Sequence, residues 1–445
     1  MKNVVCIGCG YVGSVTSVAF AALGYHTVVI DVDSNKVEMI NAGKSSLYEP
    51  GLEPLIQQVS GRTLFAVSTY EPIKEADIVF ICVGTPSLVD GTADLTYVKM
   101  AAKQIGMALN PGKFTVIVNK STVPVGTADL VTSILEEESG LQAEQDFAVV
   151  SNPEFLREGF ALEDVMAPDR IVIGTSNERA RKQMRLLYEP LIQLNSADQV
   201  VYFETDAKSA ELIKYASNAF LAVKISYINE VAKLCEALNA HVPDVAKGMG
   251  LDSRIGSKFL QVSSGWSGSC FPKDTAELLA TSFKYGSELS IVSAAITANL
   301  NMHLYCVDKI VRQLGDLRGK TIAILGLTFK PDTDDARATQ ATVIIRKLIE
   351  LGAAIHVHDP MGMPMFSALN GDLPITYCNS GEEAAQGVDG LVLLTHWECY
   401  IKLDWQKIFL SMRHPYILDT RNFLDKKTLQ ELGFQYDGIG LGRLS

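Results

Sequence analysis

The 445-residue sequence predicts an α/β protein with two doubly wound domains joined by a long central helix with an all-helical middle segment. Three observations predict it. Short, continuously apolar segments alternate with helical patterns near both ends of the chain, as buried parallel strands between helices do. From about Thr205 to Leu238 there is neither glycine nor proline, which permits one helix on the order of 50 Å long. The length also exceeds one ordinary core. The expected division is 1–203, 204–300 and 301–445.

The first element is Asn3-Val-Val-Cys-Ile7, apolar throughout, as a strand buried on both faces should be. Gly8-Cys-Gly10-Tyr11-Val12-Gly13 follows, then a helical stretch from Val15 to Leu23, then the strand Thr27–Ile30, ending at Asp31. Strand, Gly-x-Gly-x-x-Gly, helix, strand and acid in this order form a dinucleotide fingerprint. The first glycine allows the tight turn, the second lets a pyrophosphate approach the backbone, and the third lets helix and strand pack closely. Asp31 suits two ribose hydroxyls and repels a 2′-phosphate, which favours NAD over NADP. Lys36 either reaches the same ribose or is a solvated helix residue.

Further strands are expected at 76–83, 115–119 and 147–150, followed by Gly84-Thr85-Pro86, Lys120-Ser-Thr122-Val-Pro124 and Ser151-Asn-Pro-Glu154-Phe155-Leu156-Arg-Glu158-Gly159. In an open parallel sheet the ligand crevice lies at such strand ends. Thr85, Thr122 and Glu158 are therefore candidate cleft residues. Arg170–Gly174 and Gln199–Phe203 read as closing strands. On the long helix Glu211, Lys214 and Asn218 share one stripe. A polar stripe on a buried helix must be paired or face a ligand, so it is either a structural ion pair or part of a site.

The chemistry concentrates at Gly265-Trp-Ser-Gly268-Ser-Cys270-Phe271-Pro-Lys273-Asp274. Small residues approach Cys270, and Pro272 suits the first position of a helix running to about Phe283. A thiol just before a helix N-terminus, beside a lysine, lies in positive potential that favours the nucleophilic thiolate. The plain alternative is a small buried filler.

Beyond residue 301 the pattern of the first domain returns without its glycine fingerprint. A strand at 319–325 leads to Gly326-Leu-Thr-Phe-Lys330-Pro-Asp332, a helix at about 339–351, and a strand at 354–358 ending at Asp359. A second Rossmann-like domain for a different phosphorylated ligand is expected, with Lys330 and Arg337 as candidate anion contacts. Strands at 390–394 and 416–418 follow, and Arg421 after the latter can grip an anion bidentately.

Composition excludes several classes. With 47% hydrophobic and 20% charged residues the chain is an ordinary globular one, and its net charge of −12 carries no acidic block. That argues against nucleic acid as a partner but leaves room for one small anion. No apolar run of spanning length occurs, so no membrane partner is expected. Lys2 and its apolar run imitate a signal peptide, but the fingerprint glycines make residues 1–24 a folded element. The eight cysteines are scattered, Cys6-x-x-Cys9 has no second pair, and His356-x-His358 has no further ligands. No metal site is expected, and free thiols suit a reducing cytoplasm.

The ordered set Gly8-x-Gly10-x-x-Gly13, Ser121-Thr-Val-Pro124, Ser151-Asn-Pro-Glu-Phe-Leu-x-Glu-Gly159, Lys214-x-x-x-Asn218-Ala-Phe, Gly268-Ser-Cys-Phe-Pro-Lys-Asp274 and Gly326-Leu-x-Phe-Lys-x-Asp332 resembles the UDP-glucose/GDP-mannose dehydrogenase family of nucleotide-sugar dehydrogenases, from residue 2 to about 425. The resemblance implies NAD-dependent four-electron oxidation of the C6 hydroxyl of UDP-glucose to UDP-glucuronate, with Cys270 forming a thiohemiacetal and then a thioester. It implies that Lys214 and Asn218 stabilise the oxyanion, that Asp274 with Thr122 holds the water, and that Glu154 serves the thioester step. Phe155, Leu156, Lys258, Phe259, Leu260, Gly268, Phe271, Lys330 and Arg421 would border the UDP-sugar. Glu158, Lys273 and Arg337 match cofactor-side positions. Arg254 would reach the neighbouring subunit's substrate, which implies a homodimer or higher homo-oligomer. Relatives often have Gly-Phe-Gly-Gly before Ser-Cys, so Trp266 and Ser267 are a departure that bears on the sugar. Phe271 and the Lys258–Leu260 segment favour UDP-glucose over GDP-mannose.

Overall fold

Residues 3–7 carry no polar side chain after Asn3, and they form the strand β1 (Asn3–Ile7), buried from Val4 onward. The computed structural model describes residues 2–195 and 200–442. They divide into two compact units, one comprising residues up to Ser217 with Ala276–Gly286, the other Asn218–Thr275 with the chain from Ser287 onward.

In the first unit β1 is joined by β2 (His26–Ile30), β3 (Leu64–Val67), β4 (Ile78–Ile81), β5 (Thr115–Asn119), β6 (Phe147–Ser151), β7 (Arg170–Gly174) and β8 (Val201–Thr205). They form one sheet in the order β3-β2-β1-β4-β5-β6-β7-β8. Every pairing is parallel except β6 with β7. Parallel neighbours need crossover helices, and these cover both faces of the sheet. The order runs outward from β1 in both directions, so the crevice of this doubly wound sheet lies where β1 and β4 diverge.

The closing strand is Val201–Thr205 rather than Gln199–Phe203. Gln199 lies outside the described residues. The short strand β3 had no apolar alternation long enough to announce it.

The second unit holds a six-stranded, all-parallel sheet of β9 (Thr321–Leu325), β10 (Ala354–His358), β11 (Ile375–Tyr377), β12 (Gly390–Leu393), β13 (Tyr416–Asp419) and β14 (Gln435–Gly438), in the order β11-β10-β9-β12-β13-β14. Its core joins Ile322 and Ile324 of the sheet with Ile344 and Leu348 of the helix Gln340–Glu350. Ile228 of the long helix and Met302 of the helix Ser290–Leu314 belong to the same cluster.

The long helix is Ala207–Leu238, 32 residues, close to its predicted bounds. Its first turns, to Ser217, belong to the first unit and the remainder to the second. The helix after Cys270 is Phe271–Lys284, so Pro272 occupies the second helical position rather than the first. A proline there still costs no hydrogen bond, because the first-turn N–H groups have no intrahelical acceptor.

Candidate active site

The fingerprint loop of the first unit is shaped by its glycines. Gly8 has φ +97, and a Cβ there would lie 2.8 Å from the Cys82 carbonyl oxygen. A Cβ on Gly13 would collide with the Gly8 carbonyl, whereas one on Gly10 would meet nothing within 4 Å. Gly10 thus leaves an open backbone approach at the start of the helix Tyr11–Ala22, where the positive end of the helix dipole favours an anion. The Asp31 carboxylate accepts from Cys9 N–H at 2.6 Å and Asp33 N–H at 2.9 Å, which fixes it at the end of β2 beside the loop. Tyr11 hydrogen-bonds Tyr48 O at 3.0 Å, and Val12 packs against the sheet. Lys36 is half-buried on the helix Ser34–Asn41. These residues fit the adenosine and pyrophosphate half of a dinucleotide.

At the ends of β4, β5 and β6 the same unit collects Thr85, Thr122 and Glu154. Thr85 Oγ1 donates to Thr122 O at 2.8 Å, and Thr122 Oγ1 donates to Glu154 Oε1 at 3.4 Å. Lys214 Nζ lies 2.8 Å from Glu154 Oε1, a buried ion pair. The other Glu154 oxygen accepts from Leu156 N–H at 2.6 Å. Burial would push the Glu154 carboxyl up, but the Lys214 ammonium, the Leu156 N–H and Lys120 outweigh it and hold the group below the usual range. Phe155 stacks beneath the Arg170 guanidinium at 3.8 Å and lies 5.5 Å from Lys214 Nζ. Glu158 is half-buried in the loop that follows.

The polar stripe on the long helix resolves into three separate tasks. Glu211 accepts from Gly126 N–H (2.7 Å), Ala128 N–H (2.9 Å) and the Ser151 hydroxyl (3.0 Å), and so caps the helix Thr127–Ser139. Burial raises its carboxyl despite these donors. Lys214, one turn on, takes Glu154. Asn218, a further turn on, belongs to the second unit, where its Nδ2 donates to Asp274 Oδ2 at 2.6 Å.

Asp274 is the hub of the second unit's corner. Its other oxygen takes Lys273 Nζ at 2.6 Å, and its N–H donates to Cys270 O at 2.9 Å, closing the first turn of the helix. Cys270 is half-buried immediately before that helix, and Ser269 Oγ lies 3.8 Å from its sulfur. The approach is held from behind. Trp266 is buried, its N–H donates to Asn299 Oδ1 at 2.7 Å, and its indole donates to Ser226 Oγ at 2.9 Å. Ser267 hydrogen-bonds Gln340. The Trp266-Ser267 departure is therefore anchored in the core. Gly265 (φ +116) and Gly268 (φ +89) are required here, because a Cβ at either would strike His303 or the Phe329 ring.

Phe259 adopts φ +65, an uncommon conformation for a bulky residue, with its ring 6.4 Å from that of Phe271. Leu260 is buried in the core. Lys258 is exposed, as is Arg254, which pairs with Asp252 at 2.6 Å.

In the second sheet, Gly326 (φ +98) repeats the role of Gly8, and Asp359 repeats the position of Asp31. Here, however, the aspartate is fully buried and consumed. It accepts from Leu327 N–H, Thr328 N–H and Oγ1, Met361 N–H, Gly362 N–H and the Trp397 indole. The ribose-binding use of that position is closed. Lys330 lies beside Phe329, and Arg337 pairs with Asp335 at 2.8 Å. Arg421 is half-buried at the end of β13, where Nε donates to Leu394 O at 2.8 Å. Burial draws its guanidinium down to about 10.

Sequence reasoning missed Lys120, Asn152 and Glu49 among the buried polar groups. Glu49 caps the helix Ala161–Met166 by accepting from Gly159 N–H and Ala161 N–H, both at 2.7 Å. Among the described residues no three His, Cys, Asp or Glu side chains gather as a metal site, and no helix is long and apolar enough to cross a membrane.

A fingerprint loop on one doubly wound sheet, with a second such sheet whose equivalent ribose position is closed, defines a dinucleotide-binding protein of the dehydrogenase type. The UDP-glucose/GDP-mannose dehydrogenase family models match in chain order: the NAD binding domain over residues 2–192, the central domain over 208–301 and the UDP binding domain over 323–426. The chain belongs to this family. It is 42% identical over 442 residues to UDP-glucose 6-dehydrogenase TuaD of Bacillus subtilis, covering 99% of this chain and 93% of the relative. It is 44% identical over 440 residues to UDP-glucose 6-dehydrogenase of Rhizobium meliloti, covering 98% of each. The solved UDP-glucose dehydrogenase of Pyrobaculum islandicum superposes with a TM-score of 0.90 at 39% identity, covering 99% of this chain and 98% of that one.

Proposed function

We propose that this chain oxidises the C6 hydroxyl of UDP-glucose to the carboxylate of UDP-glucuronate with two equivalents of NAD. The observation that carries the reading is full-length identity of 42% and 44% to relatives named UDP-glucose 6-dehydrogenase. The Cys270–Asp274 corner and the Glu154–Lys214 pair supply the chemical groups such a reaction needs.

NAD, when bound, would supply the hydride acceptor for each of the two oxidations. Gly8, Gly10, Tyr11, Val12, Gly13, Asp31 and Lys36 would hold its adenosine half, with Thr85, Thr122, Glu158, Lys273 and Arg337 further along it. The Cys270 thiolate adds to the aldehyde carbon left by the first oxidation, and the carbonyl oxygen takes a proton to give a thiohemiacetal. Loss of hydride from that carbon and of the hydroxyl proton gives a thioester. Water held by Asp274 and Thr122 attacks the thioester carbonyl, the C–S bond breaks, and the thiolate returns. Lys214 and Asn218 stabilise the oxyanion at each stage, and Glu154 serves the thioester step. Phe155, Leu156, Lys258, Phe259, Leu260, Gly268, Phe271, Lys330 and Arg421 hold the nucleotide sugar, and Arg254 reaches that of the neighbouring subunit.

Domains 1–203, 204–300 and 301–445 and a homodimer or higher homo-oligomer belong to the same proposal. The oligomer is supported by Phe220, Tyr227 and Leu234 at seven-residue spacing on the long helix, 63%, 53% and 56% exposed. Eight free cysteines suit a cytoplasmic location. NADH formation measured with UDP-glucose and with GDP-mannose tests the substrate. Preference for UDP-glucose is expected, and preference for GDP-mannose would overturn it.

A further inference from the structure

Behind the Glu154–Lys214 pair stands a third charge. Lys120 follows β5 directly, is 7% exposed, and among the described residues has no carboxylate within ion-pair distance. Its ammonium donates to Asn152 Oδ1 at 3.1 Å and lies 6.0 Å from the Tyr188 ring centre. Asn152 is otherwise fixed: its N–H donates to Asn119 O at 2.9 Å and its Nδ2 to Val172 O at 2.8 Å. Its Oδ1 also accepts the Tyr188 hydroxyl at 2.6 Å. Asn152 stands two residues before Glu154, so whatever anchors it sets where the Glu154 carboxylate sits. A buried ammonium without a direct counter-ion is costly and calls for a reason.

We infer that Lys120 is a positioning residue for the reaction, which anchors Asn152-Pro153-Glu154 through the Asn152 amide and whose charge favours the Glu154 carboxylate over the Lys214 ammonium. The inference rests on the reading of Glu154 and Lys214 given above. The groups that bear on Lys120 are Glu154, Lys214, Cys82 and Cys6, together with the Tyr188 ring. Burial brings the Lys120 ammonium down to about 8, so the charge is present at neutral pH and lightly held.

The test compares Lys120→Met, Glu154→Gln and the double variant in the full chain, reading kcat, KM and the thermal midpoint. Lys120→Met leaves Asn152 Oδ1 with the Tyr188 hydroxyl, and the thermal midpoint reads whether the fold is retained. Lys120→Met is expected to lower kcat about tenfold while KM for NAD changes less than about twofold. In the Glu154→Gln background it should change kcat by less than about twofold, because a residue acting through Glu154 has nothing left to act on. Asn152→Ala, which keeps the charge and removes the anchor, should show the same non-additivity and serves if Lys120→Met fails to fold. Equal loss in both backgrounds, or Lys120→Met at wild-type kcat, would overturn the assignment. If Glu154→Gln turns over at the wild-type rate, the catalytic reading of Glu154 fails instead. Lys120 is then judged on the midpoints: non-additive shifts keep its anchoring of Glu154, and additive shifts overturn it.

Discussion

Replacing Lys214 by Met leaves the Glu154 carboxylate buried without its direct cation. At the observed 2.8 Å and an effective dielectric of about 20, the pair attracts by roughly 6 kcal/mol before desolvation is counted. Breaking a buried pair typically costs about 3–5 kcal/mol. Glu154 keeps the Leu156 N–H, the Thr122 hydroxyl and the field of Lys120, so the low end, about 3 kcal/mol, applies.

The sign of the pH dependence follows from the direction of the shift. In the native chain the Glu154 carboxyl is held below its ordinary value. Its contribution to stability is therefore complete above the unfolded value, about 4.3, and lost as the pH falls through the folded one. In Lys214→Met burial dominates and drives the carboxyl upward. The carboxylate then destabilises the fold above its raised value, and acidification relieves it. Urea unfolding at pH 7.5 and pH 5.5 should show a gap of about 3 kcal/mol between wild type and variant at the higher pH and a narrower gap at the lower. A gap under about 1 kcal/mol, or one that widens on acidification, would refute the electrostatic account of this pair.

Glu211→Ala removes the acceptor for two helix-start N–H groups and the Ser151 hydroxyl. It should cost about 2–4 kcal/mol, read as a lowered midpoint in calorimetry. Gly13→Ala drives a methyl group into the Gly8 carbonyl and should weaken NAD binding at least about tenfold, measured by titration calorimetry with the fold checked by circular dichroism. Trp266→Phe forfeits the indole bond to Ser226 and should cost about 1 kcal/mol while leaving the number of NADH per sugar unchanged.

The fold was legible where one local stretch carries its own physics. The first strand, glycine loop, helix and acid occupy residues 3–31 in unbroken order, and Gly8 and Gly13 have steric reasons within that stretch or at the end of one neighbouring strand. The edge strands β3, β11 and β14 were not legible, since three or four residues do not make a periodicity and pairing with a neighbour creates them. The site divided in the same way. The helix spacing of Glu211, Lys214 and Asn218 was visible, but their partners at Gly126, Glu154 and Asp274 are 56 to 85 residues away in sequence for Glu211 and Asn218 and 60 for Lys214. Spacing identifies a face and is silent about what meets it. Lys120 and Glu49 escaped notice for a related reason. Each sits in a loop or at a strand end where charged residues are ordinarily solvated, and only the neighbouring strand end or helix start buries them.

The two sheets also show how a lost motif changes use. Gly8 and Gly326 share a left-handed turn, yet Thr328 replaces the open second glycine and bonds Asp359. The aspartate that orders a cofactor loop in one sheet is spent on internal hydrogen bonds in the other.

The central claim is that Cys270 carries the sugar carbon between two oxidations. It is tested most directly by counting NADH and UDP-glucuronate together during complete conversion of a known amount of UDP-glucose by the wild type and by Cys270→Ser. The account predicts two NADH for each acid released by the wild type and no acid from the variant. One NADH per sugar, or full acid production without the Cys270 thiol, would contradict it.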